Sequence, residues 1–278
     1  MGLVNHNFMR AFVMRIVPLF QYAMLGAGLI LGGCATAPTQ EEDALTASLV
    51  RDIAPQTKEA RETIGRQDVL TQAAFWAKEY DKNPADRDAA LALARIVRTL
   101  GNPERAAEVA SLALTLYPKD ADLLLVTGQA LVENANGGSA IGFLQSAIAL
   151  SPANWRASLA LGVAFDQVGK PIQARAAFNR ALALQPNNPG ILSNLGLNYA
   201  ADGDLAMAER YLRQAVTQPD APIQARQNLA LVLALQGRFD DAKAVALEDL
   251  PAEQASKNIE IVRAMIVRPR RWEMLRDE

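Results

Sequence analysis

Side chains capable of nucleophilic or metal chemistry are scarce in this sequence. Its 278 residues include one cysteine, Cys34, and one histidine, His6. That scarcity excludes disulfides within the chain, zinc sites built from His and Cys, and catalytic triads that pair a nucleophile with His. The part of the sequence after Cys34 also has no phosphate-binding glycine motif. We therefore expect no cofactor and no metal site.

Paired carboxylates are the one catalytic device that this composition still permits. A muramidase-like hydrolase uses one carboxyl group as acid and another as base. Asp240-Asp241 are adjacent acids, but they fall in a predicted turn between helices, where solvated helix capping is the ordinary role of such residues. We expect a protein that is not an enzyme, with a carboxylate hydrolase as the rival class.

The composition indicates an all-α protein. Hydrophobic residues make up 50% of the chain but aromatic residues only 6%, so the apolar content is mainly Ala and Leu, which favour helix over sheet. The length allows one or two domains. The formal net charge of -2 gives no electrostatic reason to expect nucleic acid as a partner, since phosphate binding requires clustered Lys and Arg.

Cys34 ends an apolar segment that has the pattern of a secretory signal. Residues 16–33 carry no charge, and Arg10 and Arg15 precede them. The segment ends in Leu31-Gly32-Gly33-Cys34, which resembles the lipobox of bacterial lipoproteins. The resemblance implies that residues 1–33 are a signal peptide and that the Cys34 thiol is lipidated. One alternative is an uncleaved transmembrane helix, because about 18 apolar residues could just span a bilayer. The other alternative is a soluble N-terminus.

The residue after Cys34 indicates the membrane to which a lipoprotein is sorted. Ala35 stands where the inner-membrane retention signal of lipoproteins would usually place Asp. The resemblance therefore implies a lipid anchor in the outer membrane, with the protein facing the periplasm. Acyl chains contribute about 0.8 kcal/mol per buried CH₂, so two or three chains give a stable anchor. Residues 34–52 are expected to be a lipid-anchored tether. Either Met1 or Met14 could be the residue at which translation starts.

The remaining sequence repeats every 34 residues. Prolines recur at this spacing, namely Pro84, Pro118, Pro152 and Pro186. Frames that start at residues 87, 121, 155, 189 and 223 keep the register without insertion, with small residues at positions eight and twenty of every frame. This pattern resembles the tetratricopeptide repeat, a pair of antiparallel helices. We predict a right-handed superhelical solenoid over residues 53–250, with a degenerate first unit at 53–86.

Turn residues mark the predicted helix ends. Position fifteen is glycine in four frames: Gly101, Gly169, Gly203 and Gly237. Glycine readily adopts the left-handed conformation that ends a helix. The second frame has Ala135 there, so its turn is expected to move onto Gly137-Gly138. Residues 251–278 are predicted to form a C-terminal capping helix, from Ala252 to Val267, followed by an Arg-rich tail.

A solenoid of this kind offers an extended concave surface. Positions two, five, nine and twelve of the first helices share one face, because steps of three and four residues nearly complete a turn. In peptide-binding tetratricopeptide proteins an Asn at position six can hold the ligand backbone, although Asn is also the common residue there. Trp155 is expected to be a packing residue. The candidate peptide-binding groove comprises Arg95, Gln129, Arg156, Leu159, Val163, Asn194, Leu197, Asn198 and Asn228.

The whole organisation resembles one family. A lipobox signal, a short tether, about five repeats and the tail Arg268-Pro269-Arg270-Arg271-Trp272 together resemble the TadD-like lipoproteins of tight-adherence (Flp) pilus assembly. The resemblance implies a protein-interaction scaffold or pilotin at the outer membrane, with the secretin or another pilus-assembly component as partner. A type IV pilus pilotin and a scaffold for cell-wall enzymes are the alternatives.

Overall fold

Thirteen α-helices and no strand make up residues 56–267, the part of the chain that the computed structural model describes. The predicted signal peptide, the tether and the Arg-rich tail lie outside these residues. The helices are α1 Lys58–Ile64, α2 Val69–Lys82, α3 Arg87–Thr99, α4 Pro103–Leu114, α5 Ala121–Glu133, α6 Gly137–Leu150, α7 Trp155–Gln167, α8 Pro171–Leu184, α9 Pro189–Ala201, α10 Leu205–Val216, α11 Ile223–Leu235, α12 Phe239–Ala246 and α13 Ala252–Val267. The all-α prediction is confirmed for this range.

The ten helices from α3 to α12 form five antiparallel pairs, which we call repeats one to five. The first helices begin at Arg87, Ala121, Trp155, Pro189 and Ile223, the residues from which the repeats are counted. Each second helix packs on the first helix of its own repeat, and in repeats one to four it also packs on the first helix of the next repeat. The pair α1 and α2 precedes repeat one, and α13 packs on both helices of repeat five.

Asp and Asn side chains begin most of these helices at fixed repeat positions. Asp86 and Asp120 precede α3 and α5 and accept hydrogen bonds from backbone N–H groups of the first turn. Asn102 and Asn136 do the same for the second helices α4 and α6. Such caps satisfy N–H groups that have no partner inside the helix. The repeat period therefore sets the helix starts as well as the packing.

The two helices of a repeat approach closely where position eight is glycine. A Cβ placed on Gly162 of α7 would lie 2.3 Å from Cε1 of Phe178 in α8, and Phe178 is fully buried. A Cβ on Gly128 would lie 2.5 Å from the Leu144 side chain. Real carbon contacts are about 3.5 to 4.0 Å. Glycine at position eight is therefore a packing requirement of repeats two and three.

The turn that ends α5 differs from the prediction. Ala135 itself adopts the left-handed conformation, with φ 54, while the four position-fifteen glycines have φ between 70 and 86. Gly137 begins α6, so the expected shift of the turn onto the glycines is wrong. The Asn136 N–H donates to the Leu131 carbonyl at 2.8 Å, and the Asn136 side chain caps α6. These bonds keep repeat two in register.

Candidate functional site: a cleft on the concave face

An apolar cleft opens where repeats two and three meet. It has a volume of about 350 Å³ and lies between the first helices α5 and α7. Its lining residues are Gln129, Val132, Glu133, Trp155, Arg156, Leu159, Ala160 and Val163. We call it the central cleft. Apolar side chains from both helices form one part of its surface, and Gln129, Glu133 and Arg156 add polar groups to it.

Four of the predicted groove residues meet in the central cleft. Gln129 comes from α5, and Arg156, Leu159 and Val163 come from α7. Leu159 and Val163 are half-buried and pack against the core cluster that contains Phe178. The core of repeat three thus fixes one side of these side chains, while the other side faces the cleft and is available to a partner.

Trp155 has a role that the sequence did not reveal. It packs against the core, as predicted, but it also lines the central cleft. The guanidinium carbon of Arg156 lies 4.5 Å from the centroid of the Trp155 ring, which is cation–π geometry. The indole therefore holds a cationic group against the apolar surface of the cleft. The sequence signal for this contact was an aromatic residue at repeat position one followed directly by an arginine at position two.

The other arginines on this face are paired with carboxylates. Arg95, a predicted groove residue, places Nη2 3.0 Å from Oδ1 of Asp122. Arg98 forms an ion pair with Glu133, so the acid in the central cleft is compensated from repeat one. Arg95 does not line the central cleft; it links repeat one to repeat two instead.

Asn198 does not face the groove, which corrects the prediction. It is 2% exposed, and its Oδ1 accepts a hydrogen bond from Nε of Arg175 at 2.9 Å. Its Nδ2 donates to Oδ1 of Asp166 at 2.6 Å and to the Pro171 carbonyl at 3.3 Å. These bonds satisfy the amide within the protein. Asn198 therefore joins repeat three to repeat four and has no group left for a ligand.

The carboxyl group of Asp166 is the titratable member of this junction. Its side chain reaches the surface, yet the protein packed around the carboxylate raises its pKa above the ordinary value. The hydrogen bond from Asn198 and the charge of Arg175 oppose this rise only in part. Arg175 also pairs with Asp202, with Nη2 2.8 Å from Oδ2, and lies 4.1 Å from the Tyr199 ring centroid.

The remaining predicted groove residues lie beyond the central cleft. Leu197 is 37% exposed, whereas Asn194 and Asn228 are half-buried. Nδ2 of Asn194 donates to the Gly190 carbonyl of its own helix at 2.8 Å. A peptide that used this amide as a donor would therefore compete with an existing hydrogen bond. The predicted ligand role of these asparagines stays a prediction.

A second cleft lies at the C-terminal end of the described repeats. It has a volume of about 370 Å³ and is enclosed by repeat five and α13. Its lining residues are Gln227, Ala230, Leu231, Ala246, Leu250, Gln254, Asn258, Ile259 and Val262. Gln227 and Leu231 occupy positions five and nine of repeat five, on the predicted concave face, and Ile259 and Val262 belong to the cap helix α13. The sequence predicted the concave face and the capping helix but not the space between them.

The acidic pair considered for catalysis is part of a helix. Asp240 and Asp241 lie in the first turn of α12, not in a turn between helices, and no side chain caps that helix. Oδ2 of Asp241 lies 2.6 Å from Nη2 of Arg238. Within residues 56–267, no cluster of three or more His, Cys, Asp or Glu could hold a metal ion. No helix in this range is long and apolar enough to cross a bilayer.

Comparison with known proteins identifies the repeat. The family model of the tetratricopeptide repeat matches residues 72–121 and 125–189. A TPR repeat-containing protein of Pseudomonas aeruginosa is 37% identical over 126 residues, which is 44% of this chain and 21% of the relative. The chain thus spans about a fifth of the length of this curated relative. Residues 72–121 and 125–189 thus match tetratricopeptide repeats, and the predicted all-α solenoid fold of such repeats is confirmed.

Two solved structures share the fold. One is PilW, described as a widely conserved type IV pilus biogenesis factor; the TM-score is 0.63 at 21% identity, over 73% of this chain and 96% of PilW. The other is PilF of Pseudomonas aeruginosa, with a TM-score of 0.58 at 20% identity, over 79% of this chain and 98% of PilF. The tetratricopeptide fold is generally a non-catalytic scaffold for protein–protein interaction, and this chain has that architecture.

Proposed function

We propose that this protein is an outer-membrane lipoprotein that acts as a scaffold or pilotin in Flp pilus assembly, and that its concave face binds a segment of an assembly component, most directly the secretin. The observation that carries the binding proposal is the central cleft. It is concave, mostly apolar and open to solvent, and it presents polar groups from two rigid helices. Peptide-binding surfaces combine apolar pockets with polar groups in this way.

The geometry of the cleft suits a peptide with apolar anchors. Leu159 and Val163 provide apolar contact surface, and the amide of Gln129 lies on the opposite helix. An apolar side chain that enters the cleft would lose its contact with water, while the amide could bond to the ligand backbone. Helices, rather than loops, position these groups, so little ordering is required on binding.

The membrane and pilus parts of the proposal are supported by the sequence. Leu31-Gly32-Gly33-Cys34 has the order of a lipobox, and Ala35 favours sorting to the outer membrane. The resemblance to TadD-like lipoproteins directs the proposal to Flp pili. The runner-up is a type IV pilus pilotin, because PilW, described as a type IV pilus biogenesis factor, has a similar fold.

A charge reversal inside the cleft tests the binding proposal. Leu159→Glu would place a carboxylate where the partner removes water, which is costly for an unpaired charge. Ile172→Glu is the matched control, because Ile172 is 77% exposed on the second helix α8 and lies outside the cleft. Full-length protein should recover the secretin from native membranes in the wild-type and Ile172→Glu forms but not in the Leu159→Glu form. Equal recovery by all three would rule out the central cleft as the binding surface.

Two further measurements separate the alternatives. Loss of Flp pili, but not type IV pili, in a strain that carries Leu159→Glu would favour the Flp assignment over the runner-up. Clearing of peptidoglycan by the purified protein would instead support the rival hydrolase. Membrane fractionation tests the outer-membrane location, and enrichment in the inner membrane would contradict the role proposed for Ala35.

A further inference from the structure

We infer that the central cleft selects peptides that carry a carboxylate close to an apolar anchor, and that Arg156 is the residue that recognises the carboxylate. This inference rests on the proposed function, because it specifies the ligand of the same cleft. It concerns an acidic side chain within a segment and does not require a C-terminal carboxylate.

The first argument is the pairing of charges on the concave face. Among positions two, five, nine and twelve of the described first helices, arginine occurs as Arg95, Arg98 and Arg156. Arg95 is paired with Asp122 and Arg98 with Glu133. Arg156 has no carboxylate within ion-pair distance among residues 56–267, and its side chain makes no hydrogen bond there. Its five N–H donors are open to a ligand.

The second argument is that the guanidinium group is already positioned. The guanidinium carbon lies 4.5 Å from the centroid of the Trp155 ring. This cation–π contact holds the cation beside the cleft, so less side-chain entropy is lost when a carboxylate binds. Arginine donates two parallel hydrogen bonds to a carboxylate, and such charge-assisted bonds are stronger than neutral ones. Leu159 lies one helical turn from Arg156 on the same helix, and both line the cleft. A bound acid would therefore sit next to the apolar anchor.

The third argument is that nearby acids do not oppose an anionic ligand. Glu133, the one acid that lines the cleft, is compensated by Arg98. Asp166, which is farther along α7, is engaged by Asn198. A carboxylate beside Arg156 would consequently meet an unpaired cation, while the acid that lines the cleft already has a cationic partner. This is the electrostatic complementarity that gives a peptide site its specificity.

Selection from a displayed library of random dodecapeptides tests this inference with the full-length protein in detergent. Enriched peptides should carry Asp or Glu within four residues of Leu, Ile, Val, Met or Phe. Replacing that acid by its amide should weaken binding to the wild-type protein about tenfold, as expected for a charge-assisted hydrogen bond. The Arg156→Gln variant should bind both peptides equally. Rising ionic strength should weaken acidic-peptide binding in the wild type more than in this variant.

A matched control is present in repeat four. Arg210 is exposed and its guanidinium carbon lies 5.5 Å from the ring of the following residue, Tyr211, but both are on the second helix α10 and outside the central cleft. Arg210→Gln should keep the preference for acidic peptides. Enriched peptides without an acid, or an unchanged preference in Arg156→Gln, would overturn the inference and leave the proposed function standing. Failure to enrich any peptide would contradict both.

Discussion

Replacing Gly162 by Ala tests how closely α7 and α8 pack in repeat three. The added Cβ would lie 2.3 Å from Cε1, 2.4 Å from Cδ1 and 2.9 Å from Cγ of Phe178. Carbon atoms in contact are normally about 3.5 to 4.0 Å apart. The ring would have to move by more than about 1 Å, yet Phe178 is 0% exposed and surrounded by core. The substitution should therefore separate the two helices.

The expected magnitude is the balance of two effects. Overpacking of a well-packed core costs about 1 to 3 kcal/mol, and the short distances to three ring atoms favour the upper end. Ala stabilises a helix interior by about 1 kcal/mol relative to Gly. The net loss in the free energy of unfolding should be about 2 kcal/mol.

Gly142→Ala is the matched control. Gly142 is exposed in the middle of α6, and a Cβ placed there would meet nothing within 4 Å. The same substitution should stabilise the protein by about 1 kcal/mol, because only the helix preference changes. The two variants should thus differ by about 3 kcal/mol, or about 6 to 12 °C in Tm for a domain of this size.

Thermal melting and urea unfolding, both followed by helical circular dichroism, measure this difference. Hydrogen exchange of α7 and α8 would localise the loss, since neighbouring repeats of a solenoid open separately. If Gly162→Ala were as stable as Gly142→Ala, position eight could not be a close helix crossing. Close helix packing would then be refuted as the reason for the small residues at that position.

Three other predictions concern the turns, the ion pairs and the anchor. Ala135→Gly should stabilise the protein by about 1 kcal/mol, because it relieves a left-handed Ala, whereas Gly169→Ala should destabilise it by at least as much; urea midpoints of both variants check this. Burial alone would raise the pKa of Asp120, but hydrogen bonds from Arg87 and the backbone outweigh it and hold the pKa below its ordinary value. The stabilisation from the Arg87–Asp120 pair should be present above a pH of about 4 and lost as the pH falls below it. In the Asp120→Asn variant, the urea unfolding midpoint should therefore depend less on pH in that acidic range. Mass spectrometry of the mature protein should find an acylated Cys34 at the N-terminus, and a retained signal would contradict lipidation.

The sequence predicted the helices well because their limits are local. Asp and Asn caps, position-fifteen turns and the prolines after the second helices all recur with the period. Four groove residues were also identified correctly as neighbours, because Arg156, Leu159 and Val163 share one helix face and Gln129 occupies the equivalent face of the preceding repeat. The left-handed Ala135 was missed, since its cost is outweighed by bonds that Asn136 makes on either side.

The hydrogen-bond partners of polar side chains were harder to predict from the sequence than the helices. Asn198 lies one helical turn beyond Asn194, so a helical wheel places both on the groove face. Its amide is instead taken by Asp166 and Arg175 of the preceding repeat. A signal did exist in the spacing, because bonded polar residues lie about one period apart: Arg87 and Asp120 are separated by 33 residues, and Asn198 and Asp166 by 32. Acids and their partners at that spacing could have been paired before the fold was known.

The one-period reach of these bonds has a mechanical consequence. The bonds of Arg87 to Asp120, Arg98 to Glu133 and Asn198 to Asp166 each tie a repeat only to its neighbour. Under tension, residues 56–267 would carry the load through one junction after another, because these bonds connect neighbouring repeats only. Each detached repeat would release 34 residues, about 110 to 120 Å of extended polypeptide. If the proposed lipid anchor holds one end and the proposed partner pulls on the repeats, the protein would lengthen in steps while the other repeats stay folded.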